Sequence, residues 1–154
     1  MYYITSLKFK EDGTPEFILD PFEDMEAMIR ELGEREKKQG RSIYLLDGRF
    51  HNSLPEKDLR ARVSVPNLEV SLLVSAAFKV IVEGYENHAT FVNVHYNTTF
   101  ADIQNTAMSV LQLNGPREAY TIYYKGRPAN KQVIAATELD ATCFDIELRN
   151  TPAY

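Results

Sequence analysis

The pattern that decides the fold runs from residue 79 to residue 149 and reads KVIVEGYENHATFVNVHYNTTFADIQNTAMSVLQLNGPREAYTIYYKGRPANKQVIAATELDATCFDIELR. Its first part, Lys79–Tyr85, puts Val80 and Val82 on one side and Lys79, Ile81 and Glu83 on the other. After a short polar turn at 86–88, Ala89–Tyr96 alternates too, except that Phe91 does not keep step, which favours a bulge near Thr90. Such alternation is typical of paired strands. A helical pattern follows, and alternating strands then return at Tyr120–Tyr124 and Phe144–Arg149. The segment therefore predicts strand, strand, helix, strand and strand within about 70 residues.

The helix within this segment has clear signals at both ends. Asn97–Thr99 supplies side-chain oxygens for an N-cap, and Asp102 favours the positive end of the helix dipole. Gly115 is placed to end the helix and Pro116 prevents its continuation. The spacing of the apolar residues predicts one buried stripe, made of Phe100, Ile103, Ala107, Val110 and Leu111.

The first half of the chain shows a similar order. A hairpin is predicted from Tyr2–Lys10 and Glu16–Asp20, which a turn at 11–14 joins. Asp20 and Pro21 then suit the start of a helix that Gly40 would end. The apolar stripe expected on this helix consists of Phe22, Met25, Met28, Ile29 and Leu32.

Three further segments of the first half read as strands. Ser42–Asp47 is a short apolar run, and the alternation in Leu59–Val65 predicts a half-buried strand. The apolar run Leu68–Val74 is either the last strand of this half or the start of a junction. Residues 75–78 are too few and too apolar for a flexible linker, so a rigid junction is expected there.

The two halves resemble each other. Ile43–Phe50 is similar to Ile122–Pro128, and the offset of 79 residues also carries the expected cap Asp20 onto Thr99. A hairpin, a capped helix and an Ile-Tyr strand recur in this order, which is the order of a β-grasp domain. The predicted fold is therefore α+β, with two tandem β-grasp domains at 1–75 and 79–154, each a mixed sheet packed on one helix.

Composition excludes several classes of function. The net charge of −5 argues against a phosphate-backbone partner, since nucleic-acid binding usually needs a basic stripe. The longest apolar stretch, Val70–Val82, is too short and too interrupted to span a bilayer. Met1–Tyr3 reads directly as a strand, with no secretory signal. The single Cys143 excludes an intramolecular disulfide and suits a reducing compartment, so a cytoplasmic location is predicted.

At two places the second half resembles ubiquitin-like proteins. Thr121–Arg127 is similar to the third strand of ubiquitin and the turn after it, and Phe144–Arg149 fits the alternation of its last strand. The tandem arrangement resembles the interferon-induced tandem modifier of vertebrates. It also resembles the two-domain bacterial modifiers that are encoded beside activating, conjugating and deconjugating enzymes in antiviral operons.

This resemblance implies a protein modifier. Its C-terminal carboxylate would be adenylated by an ATP-dependent activating enzyme, passed to a conjugating enzyme as a thioester, and joined to a target protein, with phage proteins among the candidate targets. A deconjugating peptidase would reverse the step. The implied conjugation tail consists of Arg149, Asn150, Thr151, Pro152, Ala153 and Tyr154, and the implied partner-binding face of Tyr123, Lys125, Asp145 and Glu147.

The sequence departs from ubiquitin in two respects. Pro152 and Ala153 stand where ubiquitin has glycines. Either the sequence stops short of the native end, or conjugation uses another terminus, or the protein is not conjugated. The recognition patch of ubiquitin is aliphatic, whereas the matching positions here are Tyr123, Asp145 and Glu147. Proteins that bind ubiquitin are therefore not expected to recognise this face.

No constellation of residues predicts an enzyme. Cys143 has no neighbouring base in the sequence, and Gly48 and Gly126 lack the pattern of a phosphate-binding loop. His51, His88 and His95 lack the spacing of a metal site, so neither a metal nor another cofactor is predicted. The alternative to a modifier is a non-conjugated β-grasp adaptor or scaffold that binds a protein partner; a sulfur carrier or an enzyme is the third.

Overall fold

A computed structural model describes residues 1–151 and, at Glu86, the backbone alone. The chain divides into two compact units, of which the first is Met1–Val74 and the second begins at Ser75. The elements of the first unit are β1 (Tyr2–Phe9), β2 (Pro15–Phe22), α1 (Met25–Gln39), β3 (Ile43–Leu46), β4 (Arg49–His51), α2 (Glu56–Ala61) and β5 (Leu68–Leu73).

The first unit is a five-stranded mixed sheet in the order β2-β1-β5-β3-β4. Its central strands β1 and β5 are parallel, and the other neighbours are antiparallel. One face of α1 is buried together with side chains of the sheet, and this core contains Ile4, Met25, Met28, Ile29, Leu32, Tyr44, Leu46, Leu59, Leu68, Val70 and Leu72. The predicted stripe of α1 is thus confirmed from Met25 to Leu32, as is the glycine cap at Gly40.

The second unit has the same strand arrangement. Its elements are β6 (Ala76–Val82), β7 (Tyr85–Val94), α3 (Phe100–Val110), a 3-10 turn (Arg117–Ala119), β8 (Tyr120–Tyr124), β9 (Arg127–Pro128), a second 3-10 turn (Ala135–Thr137) and β10 (Asp145–Asn150). The sheet order is β7-β6-β10-β8-β9, with β6 and β10 parallel in the centre. The chain therefore consists of two tandem β-grasp domains, and the predicted fold class is confirmed.

The start of the first helix differs from the prediction. Asp20–Phe22 belongs to β2, and the N-cap of α1 is Asp24, whose carboxylate accepts a hydrogen bond from the amide of Glu26 at 3.0 Å. Asp20 instead accepts from Nη2 of Arg35 at 2.7 Å. Pro21 is tolerated in β2 because this strand lies at the edge of the sheet.

The strand predicted at Leu59–Val65 is wrong. Glu56–Ala61 forms the short helix α2, in which Glu56 and Arg60 are one turn apart and joined by a 2.7 Å ion pair. Leu59 is fully buried, but Val63 and Val65 are 54% and 42% exposed. The apolar and arginine residues alternate in the sequence, yet only one of the apolar side chains reaches the core.

In the second unit, the first turn and the buried stripe of the helix also differ from the prediction. The turn after β6 is Glu83–Gly84 rather than 86–88, and Ala76–Phe78 of the expected junction is part of β6. In α3 the cap is Thr99, which forms a reciprocal capping box with Asp102. This helix ends at Val110, which is 59% exposed, while Gln104 and Met108 are buried in addition to the predicted Phe100, Ile103 and Ala107.

The internal repeat is confirmed as an order of elements but not as a constant offset. The turns Asp47–Gly48 and Lys125–Gly126 both have positive φ at both positions, which is the conformation of a tight two-residue hairpin. These turns are 78 residues apart, whereas the caps Asp24 and Thr99 are 75 apart. Loops of different length between corresponding elements explain why no single offset fits.

Candidate functional site

The candidate site is the outer face of the second sheet, opposite α3. Side chains of a strand alternate between faces, and Val80, Val82, Ile122, Ile146 and Leu148 are buried on the core side. The intervening residues therefore point outward. Strand pairing places Glu147 beside both Tyr123 and Ile81, and Asp145 beside Lys79.

Arg149 organises one end of this face. Its guanidinium lies 4.1 Å from the centre of the Tyr123 ring, a cation–π contact. Its Nε atom is 3.1 Å from Oε2 of Glu147 and 3.8 Å from Oε2 of Glu83. The hydrogen bond to Glu147 is the main reason why the pKa of Arg149 is raised. Tyr123 is half-buried beside this charged partner, and the cluster presents a ring, a cation and two carboxylates.

Two of the predicted face residues lie outside this cluster. Asp145 is exposed and pairs with Lys79, farther along β10. Lys125 lies in the turn between β8 and β9, where its ammonium forms an ion pair with Asp140 and lies 5.7 Å from the centre of the Tyr124 ring. Hydrogen bonds from Lys125 and Thr142 lower the pKa of Asp140 to about 2.

Lys125 borders a cleft of about 600 Å³ in the second unit. Buried rings of Phe100 and Tyr124 contribute to its wall, and Lys125, Arg127, Glu138 and Asp140 supply charges of both signs. The Tyr124 hydroxyl donates to the carbonyl of Cys143 at 2.7 Å and accepts from the amide of Asp140 at 3.1 Å. Burial raises the pKa of Tyr124 to about 12. The cleft is thus a pocket whose lining contains two basic and two acidic side chains.

The first part of the predicted tail is paired with the sheet. Arg149 and Asn150 are the last residues of β10, and Asn150 lies opposite Tyr120. The amide of Thr151 donates to the carbonyl of Ala119 at 2.8 Å, and its hydroxyl lies 2.9 Å from that of Thr121. The remaining tail residues, Pro152, Ala153 and Tyr154, lie outside the described residues.

Some residues of the site were not recognised in the sequence. The resemblance implies only a tail role for Arg149, whereas alternation along β10 puts its side chain on the same face as that of Glu147. Gln104 is 1% exposed, and its amide nitrogen donates to the carbonyl of Arg117 at 2.9 Å. Lys131 donates to the carbonyl of Tyr120 at 3.0 Å. These two side chains hold the segment that leads from α3 into β8.

Three features bear on other classes of site. The thiol of Cys143 is half-buried and lies 3.4 Å from the carbonyl of Asp145. Within residues 1–151, no group of three His, Cys, Asp or Glu side chains could hold a metal ion. No helix in this range is long and apolar enough to cross a membrane.

Comparison with known proteins gives a structural similarity only. No protein-family model matches the sequence, and no curated protein is similar to it. Among solved structures, the chain is similar to Caldiarchaeum subterraneum ubiquitin, with a TM-score of 0.43 and 14% sequence identity. The similarity covers 51% of this chain and 96% of that ubiquitin.

Proposed function

We propose that this chain is a ubiquitin-like protein modifier that acts in the cytoplasm in bacterial antiviral defence. An activating enzyme would join the C-terminal carboxylate to AMP and release pyrophosphate from ATP. A cysteine of the enzyme would displace AMP to form a thioester, and a target amine would displace that thiolate to form an amide. The chain itself is not an enzyme and needs no cofactor in this scheme. It supplies the carboxylate and the surface on which the enzymes dock.

The observation that carries this proposal is the cluster of Tyr123, Glu147 and Arg149, in which Arg149 is the first residue of the implied tail. Strand β10 pairs on both sides, with β6 and β8, so the cluster is held by the centre of the sheet. Arg149 is fixed between the ring of Tyr123 and the carboxylate of Glu147. A fixed arginine and aromatic ring are residue types that often dominate binding energy at protein interfaces. An enzyme that bound this cluster would contact the implied tail at its first residue, Arg149.

Thioester formation tests the proposal. The natural full-length protein is incubated with ATP and its cognate activating and conjugating enzymes, and a thiol-sensitive adduct is measured on a non-reducing gel. Arg149→Ala is expected to slow adduct formation by about tenfold, since it removes a central contact of the docking surface. Arg117→Ala, at an exposed arginine of the same unit outside this face and the cleft, is the matched control and should leave the rate unchanged. Absence of any adduct from the natural protein would contradict the proposal.

A non-conjugated adaptor is the second candidate. Two observations favour it: Thr151 is still bonded to the sheet, and Pro152 and Ala153 stand where glycines would be needed. An adaptor would bind its partner stoichiometrically, and truncation after Thr151 would leave that binding unchanged. The intact mass of the natural protein separates the two cases, because a tail with glycine beyond Tyr154 favours the modifier.

A further inference from the structure

The edge strand β7 of the second unit lacks three of the features that usually protect sheet edges, although a bulge at residues 86–88 interrupts its pairing with β6 between Ile81 and Val82. Among the described residues, the sheets end in β2, β4, β7 and β9. Strand β2 contains Pro15 and Pro21, β4 has three residues, and β9 has two residues that include Pro128. Strand β7 has ten residues, with no proline, lysine or arginine. Short length, proline and lysine are the common means of preventing edge-to-edge pairing, and β7 has none of them.

The backbone groups that β7 leaves open can be identified. The amide of Lys79 donates to the carbonyl of Phe144 at 2.8 Å, so the N–H and C=O groups of Lys79 point toward β10 and away from β7. Lys79 lies opposite Phe91, and this is therefore a non-hydrogen-bonded pair of β6 and β7. It follows that Phe91 directs its N–H and C=O to the open edge, and alternation adds Ala89 and Asn93. No other group in the described part of the chain bonds to these three residues there.

The side chains on this edge are also suited to association. Phe91 is 70% exposed on the outer face, and Asn93 beside it is exposed as well. The sequence of β7 contains one carboxylate residue, Glu86, and one imidazole, that of His88. An exposed aromatic residue beside unpaired, evenly spaced peptide groups is complementary to another strand of the same kind.

We propose that β7 pairs antiparallel with β7 of a second copy of this chain, about a two-fold axis at Phe91. Phe91 then exchanges both of its peptide hydrogen bonds with Phe91 of the copy, and Ala89 does so with Asn93. The two five-stranded sheets become one ten-stranded sheet, and the two Phe91 rings meet on its outer face. This proposal does not depend on the proposed function.

The charges on this face allow a second copy to bind. In the two-fold arrangement Phe91 meets itself and Ala89 meets Asn93, so no charged residue is opposite a like charge. Lys79 is the nearest cation, and it would lie three strand spacings, roughly 14 Å, from Lys79 of the copy. That distance exceeds the Debye length of about 8 Å in physiological salt. The strand neighbour of each Lys79 on β10 is an acidic residue, Asp145.

The oligomeric state tests the proposal. Sedimentation of the full chain from micromolar to millimolar concentration should show a reversible dimer. Phe91→Lys should raise its dissociation constant at least about tenfold, because a lysine on the edge opposes strand pairing. Phe17→Lys is the matched control, since Phe17 is 72% exposed on β2 of the first unit, and it should leave the dimer intact. A monomer at all concentrations, or a dimer lost with Phe17→Lys and kept with Phe91→Lys, would overturn the proposal.

Amide hydrogen exchange identifies the strand and its register. Protection of Ala89, Phe91 and Asn93 should increase with protein concentration. Thr90, Val92 and Val94 are the internal control, because they already bond to β6 and should not change. Phe91→Pro removes the outward N–H together with the ring but no hydrogen bond to β6, so it should abolish dimerisation while the exchange of Val92 and Val94 stays protected. Concentration-dependent protection at other residues, with none at these three, would overturn the proposal.

Discussion

At the scale of single residues, Asp140 connects the hairpin turn after β8 with the loop before β10. Its carboxylate accepts from Lys125 and from the amide of Thr142, and its own amide donates to the hydroxyl of Tyr124. These contacts form one wall of the cleft. They also make the stability of the second unit depend on pH in a predictable direction.

Asp140→Asn should destabilise the protein by about 0.5–1 kcal/mol at neutral pH, because the ion pair with Lys125 is partly exposed. The folded pKa of Asp140 is lowered to about 2 from 3.8, so its stabilisation is present above pH 3.8 and is lost as the pH falls through about 2. Urea denaturation of both proteins at neutral pH and near pH 2 measures this. Glu138→Gln, an exposed carboxylate of the same cleft, is the control; an unchanged difference at acid pH would contradict the assignment.

Gln104 is a second residue whose role follows from its surroundings. Its nitrogen donates to the carbonyl of Arg117, whereas its buried oxygen has no hydrogen-bond partner among the described residues. Gln104→Leu should therefore change the free energy of unfolding by less than about 1 kcal/mol, since it removes the hydrogen bonds of the nitrogen and one unsatisfied oxygen together. Gln104→Glu should cost about 3 kcal/mol or more, because it puts a buried carboxylate beside carbonyl oxygens.

Chemical denaturation of these two variants measures the difference. The penalty of Gln104→Glu should shrink in acid, where the carboxyl group is protonated. Equal stabilities of the two variants at neutral pH would show that this position is open to water. The sequence could not predict the role of Gln104, because its partners lie 13 and 16 residues away along the chain.

At the scale of elements, the caps show what local sequence can and cannot indicate. The Thr99–Asp102 capping box was predictable because both partners lie within one turn of the chain. In the first unit, the predicted helix start at Asp20–Pro21 is wrong, because pairing with β1 keeps these residues in β2 and the helix is capped by Asp24 instead. Local sequence is also insufficient at α2, because its alternation of arginine with apolar residues is equally typical of a strand.

Substitution of the two aspartates should separate their roles. Asp24→Ala should cost about 1 kcal/mol, while Asp24→Ser should cost only a few tenths, because serine is also a good N-cap. Asp20→Ser should lose the ion pair with Arg35, at most about 1 kcal/mol, and the loss should decrease at high salt. Thermal unfolding at low and high salt measures both. Full retention of stability in Asp24→Ala would contradict its assignment as the cap.

At the scale of the whole molecule, the repeated order of elements predicted two domains of one fold. What the sequence could not give was the strand order, because pairing of β1 with β5 and of β6 with β10 joins segments about 65 residues apart. The face around Tyr123 was predictable in part. Tyr123 and Glu147 lie side by side, whereas Lys125 lies outside their cluster and Arg149 belongs to it without having been predicted as a face residue. The docking role of that face stays a prediction.

Each unit should fold by itself when the chain is divided between Val74 and Ser75. Each has its own five-stranded sheet and its own helix, so each keeps a complete core. Domains of this size bury a smaller share of their surface and are marginal, so lower melting temperatures than in larger domains are expected. Dispersed amide NMR spectra of residues 1–74 and of 75–154 would confirm this. A collapsed spectrum from either piece would show that its core needs the other.

The buried phenols give each unit an optical signal of its own. Tyr44 donates to Glu36 in the first unit, Tyr124 donates to backbone carbonyls in the second, and burial raises the pKa of both. With 9 tyrosines and no tryptophan, phenolate absorbance in alkali comes from tyrosine alone. Tyr44→Phe and Tyr124→Phe would each remove one late-ionising chromophore, so a spectrophotometric titration could follow the opening of either domain without any added label.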